Sequence, residues 1–261
     1  MTELTRRRIG RRPVLLGGLA AISAALVSRP ARAATSTELQ PDALAPDVHR
    51  ILVIGDSQAQ GLAGGFMRLF RRRPDIRIID KSKIATGLMP RPNYDWPAET
   101  PKLAASEHAD VAVVMFGAND RPLVRTHGEI DPAKRAAFVA DYGAKVNAIV
   151  SALRAAGMPV VWVGHPNARD PVFSQDMKLL DEIYESAATQ AGADYVSCWQ
   201  LFADPSGNYT AFGPGTDGET TRLRADDGVH LTPAGYDLLA RDIIPHLHGP
   251  QPQIGPTATR P

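Results

Sequence analysis

Cysteine is nearly absent from this chain: Cys198 stands alone among 261 residues, which excludes an intramolecular disulfide. No Cys/His cluster has metal-ligand spacing, so neither a metal site nor any other cofactor is expected. Long apolar runs are scarce as well. The longest, Val14–Val27, lies close behind Arg6–Arg8 and Arg11–Arg12 and is followed by small residues at Ala31-Arg32-Ala33. Basic, apolar and small-residue regions in that order predict a secretory signal peptide over residues 1–33, which places the mature protein in the periplasm or outside the cell. The paired arginines point to twin-arginine export. An uncleaved anchor helix is the alternative, but the stretch contains glycines and is short for a span. Nothing after it is long and apolar enough to cross a membrane.

A basic excess is missing too. The chain has 29 Lys and Arg against 28 Asp and Glu. The leader removes seven arginines and one glutamate, which leaves 22 basic and 27 acidic residues and a net charge of −5. That balance argues against a nucleic-acid partner. The basic cluster Arg68, Arg71, Arg72 and Arg73 falls at the end of a helical pattern, where cations suit the macrodipole. Cys198 closes a strand-like run, Tyr195–Cys198, and reads as a buried thiol. The roughly 230 residues after the leader suffice for one sizeable core.

Residues 34–48 are polar and rich in Pro and Ala, a flexible tether. From 49 to 248 apolar runs alternate with helical patterns. The runs are Arg50–Ile54, Ile76–Asp80, Asp110–Phe116, Pro159–Gly164 and Asp194–Cys198. The helical patterns are Gly61–Arg72, Pro97–Glu107, Pro132–Ala156, Asp176–Ala191 and Pro233–His248. Strands without polar alternation, separated by helices, predict a five-stranded parallel sheet buried on both faces in a three-layer α/β/α sandwich with right-handed crossovers. Two long loops, Thr86–Pro97 and Phe202–Asp226, break the rhythm and are candidates for function. The Pro-rich tail, 249–261, is expected to be disordered.

The chemistry concentrates at strand ends. Ile51–Gln58 reads Ile-Leu-Val-Ile-Gly-Asp-Ser-Gln, an apolar strand that breaks at a glycine and sets Ser57 at its carboxyl end. Asn119 follows the third strand in Gly117-Ala118-Asn119-Asp120, and Asp227-Gly228-Val229-His230 precedes the last helix. In a doubly wound sheet these loops converge on one rim. A serine hydroxyl needs an adjacent base to act as nucleophile, and His230 can supply it. Asp227, three residues earlier, can orient the imidazole; Asp226 is the competing acid. Asn119 and the backbone N–H groups of Ser57 and Gly87 are candidate oxyanion donors, glycine at 87 allowing close approach to a ligand. Taken singly, each residue has an ordinary reading: Asp56 as a helix cap, Asn119-Asp120 as turn chemistry, His230 as a polar surface residue. His165 follows a strand at the same rim, either as a substrate contact or as a loop residue bonded to backbone. Tyr94, Trp96, Arg91 and Arg121 could line a groove for a sugar or acyl chain; alternatively Trp96 packs on the core and the arginines are solvated.

The blocks Gly55-Asp56-Ser57-Gln58, Gly87, Gly117-Ala118-Asn119-Asp120 and Asp227-Gly228-Val229-His230 resemble those of the SGNH (GDSL-type) hydrolases. The likeness extends over about residues 50–247. The Thr-Gly-Leu…Tyr-Asp-Trp-Pro segment and Gly-Ala-Asn-Asp-Arg are further similar to the bacterial DUF459 branch. The resemblance implies Ser57 as nucleophile and oxyanion donor, Gly87 and Asn119 completing the hole, His230 as base and Asp227 as its partner. Gln58 departs from the leucine common at that position, which bears on substrate choice. The expected function is hydrolysis of a small-molecule or carbohydrate ester, such as an O-acetyl group on envelope polysaccharide. The rivals are an O-acyltransferase using the same site and a non-catalytic carbohydrate-binding protein. No stable membrane insertion is expected after cleavage, and the oligomeric state is open.

Overall fold

The structure, a computed structural model, describes residues 44–89, 94–122, 124–126 and 129–249. The expected signal peptide, most of the tether, the tail from residue 250 and Arg91 lie outside the described residues. In chain order the elements are β1 (Arg50–Gly55), α1 (Ser57–Leu69), β2 (Arg77–Asp80), α2 (Trp96–Glu107), β3 (Val111–Met115), β4 (Arg125–Thr126), β5 (Glu129–Ile130) and α3 (Pro132–Ala155). There follow β6 (Val160–Val163), α4 (Pro171–Gln190), β7 (Asp194–Val196), β8 (Phe212–Pro214), β9 (Thr220–Arg222) and α5 (Pro233–Ile243).

The five long-range strands form one parallel sheet in the order β2-β1-β3-β6-β7. Alternate residues along each strand feed opposite faces. Leu52, Ile54, Ala112, Val114, Val160 and Trp162 pack with α2, α3 and α4. Ile51, Val53, Val113, Met115, Val161 and Val163 pack with α1 and α5. Fully burying an aliphatic side chain of this size contributes about 1.5–3 kcal/mol, so the two-sided core carries the fold. The second core also takes in Leu44 and Val48, both buried, so packed chain begins within the expected tether. The pairs β4–β5 and β8–β9 are short antiparallel additions that the sequence pattern did not signal.

Helix starts are written in side chains. Asp56, Asp95, Asp131, Asp170 and Thr232 each accept a backbone N–H at the N-cap of α1 to α5 in turn. Proline occupies the first turn of α2 to α5. Because of the Asp170-Pro171 start, α4 begins five residues before the expected Asp176. Likewise α1 begins at Ser57, not Gly61, because the Asp56 side chain caps it there. The last helix ends at Ile243 and tightens to a 3-10 turn over Ile244–His246, since Pro245 has no N–H to continue the α-helical pattern.

The strand order places β2 on one side of β1 and β3 on the other. The crevice at the carboxyl ends of β1 and β3 is therefore the switch point of the sheet, where such folds bind ligands.

Candidate active site

At that switch point β1 ends in Gly55, with φ +142°. A β-carbon there would stand 1.9 Å from the Met115 carbonyl oxygen, so the close approach of β1 to β3 requires glycine. The chain then turns through buried Asp56, and Ser57 becomes the first residue of α1. This puts the serine at a helix N-terminus, with its hydroxyl at the rim.

Ser57 Oγ lies 2.8 Å from His230 Nε2, and His230 Nδ1 lies 2.6 Å from Asp227 Oδ2. The three groups form one continuous hydrogen-bonded line although 173 positions separate the serine from the histidine. Local bonds preset the far end of it. Asp227 Oδ1 accepts the backbone N–H groups of Val229 at 2.8 Å and His230 at 2.9 Å, which aims its other oxygen at the ring. Gly228, φ +74°, allows the tight turn between them, and Thr232 caps α5 just beyond. Partial burial pushes the Asp227 carboxyl up, but the Val229 N–H, the His230 ring and the His230 N–H outweigh it and hold the pKa at about 2. Asp227 is thus ionised at neutral pH. The competing Asp226 points to solvent and pairs with Arg222.

Asn119 and Gly87 reach the same crevice from two loops. The Asn119 amide donates to the Thr86 carbonyl at 2.9 Å and, over a long 3.4 Å contact, to Asp56 Oδ2. Asp56 also accepts Gln58 N–H at 2.8 Å and Gly117 N–H at 3.1 Å, so one carboxylate ties together the nucleophile's helix and the loop after β3. Burial raises its pKa to about 7, against the lowering effect of the Gln58 and Gly117 N–H groups. The segment before Gly87 carries Ala85 at φ +58°, a left-handed conformation that costs a non-glycine residue about 1–2 kcal/mol. Asp120 fixes this segment from below, accepting Leu88 N–H and Met89 N–H as well as the Tyr142 hydroxyl. The crowding at Gly87 comes from that carboxylate: a β-carbon would meet Asp120 Oδ1 at 2.1 Å. Approach to a ligand, the reason expected from sequence, is not the one visible here.

Trp96 is not a groove residue. It is fully buried, stacks edge-on against Phe116, and donates its indole N–H to Thr86 Oγ1 at 3.0 Å. Tyr94 is half-buried over Trp96, with Lys83 Nζ 4.8 Å from its ring. Arg121 pairs with buried Asp176 at 2.6 Å and lies over Phe173. His165 is wholly buried and lies behind the rim. Its Nδ1 lies 2.7 Å from the Pro166 carbonyl, which requires the proton on Nδ1, and Nε2 then accepts from Gln58 Nε2 at 3.3 Å. Burial drives its pKa down to about 3, against the Pro166 bond, so the ring is neutral.

Sequence reasoning missed the depth of Gln58. Instead of flanking a substrate, it is fully buried, accepts the Tyr236 hydroxyl at 2.8 Å and donates to the Val229 carbonyl at 3.2 Å. It therefore braces the Asp227–His230 turn from behind. Nothing in the sequence distinguishes such a glutamine from a surface one. Among the described residues no group of three or more His, Cys, Asp or Glu side chains is arranged to hold a metal ion. Likewise, no helix among them is long and apolar enough to cross a membrane.

A family described as protein of unknown function DUF459 matches residues 50–246. No curated protein matches by sequence. Among solved structures, TesA is 18% identical with a TM-score of 0.53, over 76% of this chain and 98% of that one. A catalytic mutant of the acetylxylan esterase Axe2 from Geobacillus stearothermophilus is 14% identical, with a TM-score of 0.52 over 76% and 94%. A GDSL-like lipase from Bacteroides thetaiotaomicron is 16% identical, with a TM-score of 0.50 over 78% and 93%. At these identities the likeness is one of fold.

Proposed function

This chain belongs to the DUF459 family and has the SGNH-hydrolase fold, and we propose that it is an exported serine esterase working through an acyl-enzyme on Ser57. The observation that carries the reading is the 2.8 Å contact between Ser57 Oγ and His230 Nε2, continued at 2.6 Å to an ionised Asp227.

In the forward step Ser57 Oγ attacks the ester carbonyl carbon while His230 Nε2 takes the hydroxyl proton. The Asp227 carboxylate holds the Nδ1–H tautomer and stabilises the imidazolium so formed. Negative charge gathers on the carbonyl oxygen, where the backbone N–H groups of Ser57 and Gly87 and the Asn119 amide are the available donors. The contact of the Asn119 amide with Asp56 Oδ2 is long, 3.4 Å, and turning the amide from it to the oxyanion gives up little. Collapse breaks the ester C–O bond, and His230 returns the proton to the departing alcohol. Water then attacks the acyl-enzyme carbonyl with its proton passing to His230; the bond from the acyl carbon to Ser57 Oγ breaks, His230 returns that proton to Oγ, and the free acid leaves.

An O-acetyl group on envelope carbohydrate is the substrate class favoured here. The leader-like N-terminus supports export, and the side chains of His230 and Asp227 are 34% and 49% exposed, so the triad can be reached from solvent. The same openness would admit a sugar hydroxyl in place of water, the transferase reading. Adding a polyol to a p-nitrophenyl acetate assay separates the two, because only transfer yields acylated acceptor.

The hydrolase reading is tested with a fluorophosphonate. Wild-type protein should be labelled on the peptide bearing Ser57, and His230→Ala should not be labelled. Absence of label on the wild type, or label on another residue, overturns it.

A further inference from the structure

Beside the triad a pocket, about 410 Å³ in volume, opens at the start of α4. Gln175 and Lys178 face it from α4, Trp199 and Tyr209 from the segment after β7, and Arg169 and Asn208 close its sides. Among the described residues no acidic one lines it. Its wall is continuous with the triad. Arg169 N–H donates to the Gly228 carbonyl at 2.9 Å, and its guanidinium donates to the Asp226 carbonyl at 2.9 Å, on either side of Asp227. A β-carbon on Gly228 would strike Arg169 Cβ at 2.6 Å, so the two segments are in direct contact.

The two basic side chains of the lining make no direct ion pair. Neither Arg169 nor Lys178 has a carboxylate partner among the described residues. The Arg169 guanidinium lies 5.6 Å from the centre of the Tyr209 ring. Arg224 lies 4.7 Å from that same ring and is fully buried. Among the described residues it bonds neutral groups, Asn167 Oδ1 at 3.0 Å and the carbonyls of Asn167 and Val229, and its Nε has no partner there. Two cations at the pocket without an ion-pair partner, with Arg224 behind the Tyr209 ring, stand out in a domain that is acidic overall, and their field attracts an anion. Trp199 is pinned by its indole N–H to the Gly207 carbonyl at 3.2 Å and is partly exposed, as is Tyr209. Aromatic walls with amide and hydroxyl groups between them suit a pyranose ring.

We infer that this pocket seats an acidic sugar of the polymer whose neighbouring unit bears the ester. The carboxylate of that sugar meets Arg169 and Lys178, its ring lies against Trp199 and Tyr209, and the adjoining unit reaches Ser57 across the shared wall. The inference rests on the esterase reading for its use in catalysis, but the binding it asserts can be measured without turnover.

The experiment uses the full chain as Ser57→Ala, which cannot turn over, titrated calorimetrically with tetragalacturonic acid and with uncharged galactotetraose. The acidic oligosaccharide should bind at least about tenfold more tightly than the neutral one, with the difference eroded by salt. Lys178→Glu and Trp199→Ala in that background should each weaken the acidic ligand about tenfold. Equal affinities, no binding of the acidic ligand, or affinity unmoved by Lys178→Glu overturns the inference; that exposed site decides the matter even if Trp199→Ala fails to fold. Fluorophosphonate labelling of the wild type reads the esterase separately. A labelled enzyme with no acidic preference sinks only the pocket, and acidic binding without label sinks only the esterase.

Discussion

The carboxylate of Asp120 fills the space in which a side chain on residue 87 would begin, 2.1 Å from an ideal β-carbon. The same carboxylate receives the next two backbone N–H groups, so the candidate oxyanion segment is held by its fit to one buried acid. Gly87→Ala should therefore displace the segment from Asp120. Losing one oxyanion donor costs about 10²–10³ in kcat in a well-studied protease, and a loss of that order is expected here on p-nitrophenyl acetate. A variant within twofold of wild type would remove Gly87 from the mechanism.

Asp227 and Asp226 are neighbours in sequence with opposite surroundings. Asp227→Asn offers an amide where the ring needs an acceptor, and kcat should fall by roughly 10³–10⁴. Asp226→Asn should leave turnover near wild type, because that side chain pairs with Arg222 and makes no contact with His230. Kinetics on the two variants settle which carboxylate orients the base; equal losses would undo the assignment.

Gln58→Leu restores the residue common in the resembling family at the expense of a buried network. The Tyr236 hydroxyl would lose its acceptor, His165 Nε2 its donor, and the Val229 carbonyl one of two donors. Thermal or urea unfolding should show a loss of about 1–3 kcal/mol. Turnover should drop with it as the turn carrying His230 loosens. An unchanged midpoint would mean that the network adds nothing.

Two buried groups should titrate against each other. His165 has its pKa lowered to about 3, so between there and 6.5 only the unfolded chain takes up the proton, and stability falls as pH drops through that window. Asp56 has its pKa raised to about 7, so between 3.8 and there only the folded chain holds the proton, and stability falls as pH rises. Each effect is on the order of 4 kcal/mol at full extent, and over the common range they oppose. His165→Gln should therefore gain on wild type as pH falls from 6.5 to 4. Asp56→Asn should gain on wild type as pH rises from 4 to 7. Urea midpoints at pH 4, 5.5 and 7 would show it, and parallel curves for all three proteins would contradict it.

Much of this fold is legible because its signals are local. The unbroken apolar strands of β1, β3 and β6 can only be a sheet covered on both faces, and Ser57, Asn119 and His230 each stand at a boundary between elements. Helix starts were legible in principle, but the pattern over Asp176–Ala191 left out the Asp170-Pro171 pair, in which the proline is a first-turn residue of α4. What stayed hidden depends on packing across the chain. Trp96 is equally plausible in sequence as a groove wall or a core residue, and only the Thr86 hydroxyl and the Phe116 ring decide for the core. Gln58, His165 and Asp120 are polar types usually found at the surface; their burial follows from partners from 22 to 178 positions away, which no local pattern encodes.

All the reactive groups crowd the carboxyl ends of the strands, and the far end of the sheet is closed by ordinary turns. One of these passes through Gly157, where an added β-carbon would have no heavy atom within 4 Å. An affinity handle or a fluorescent reporter spliced in there would extend into empty solvent on the side of the molecule turned away from the reaction. The enzyme could then be anchored to a surface by that end with its working edge presented outward.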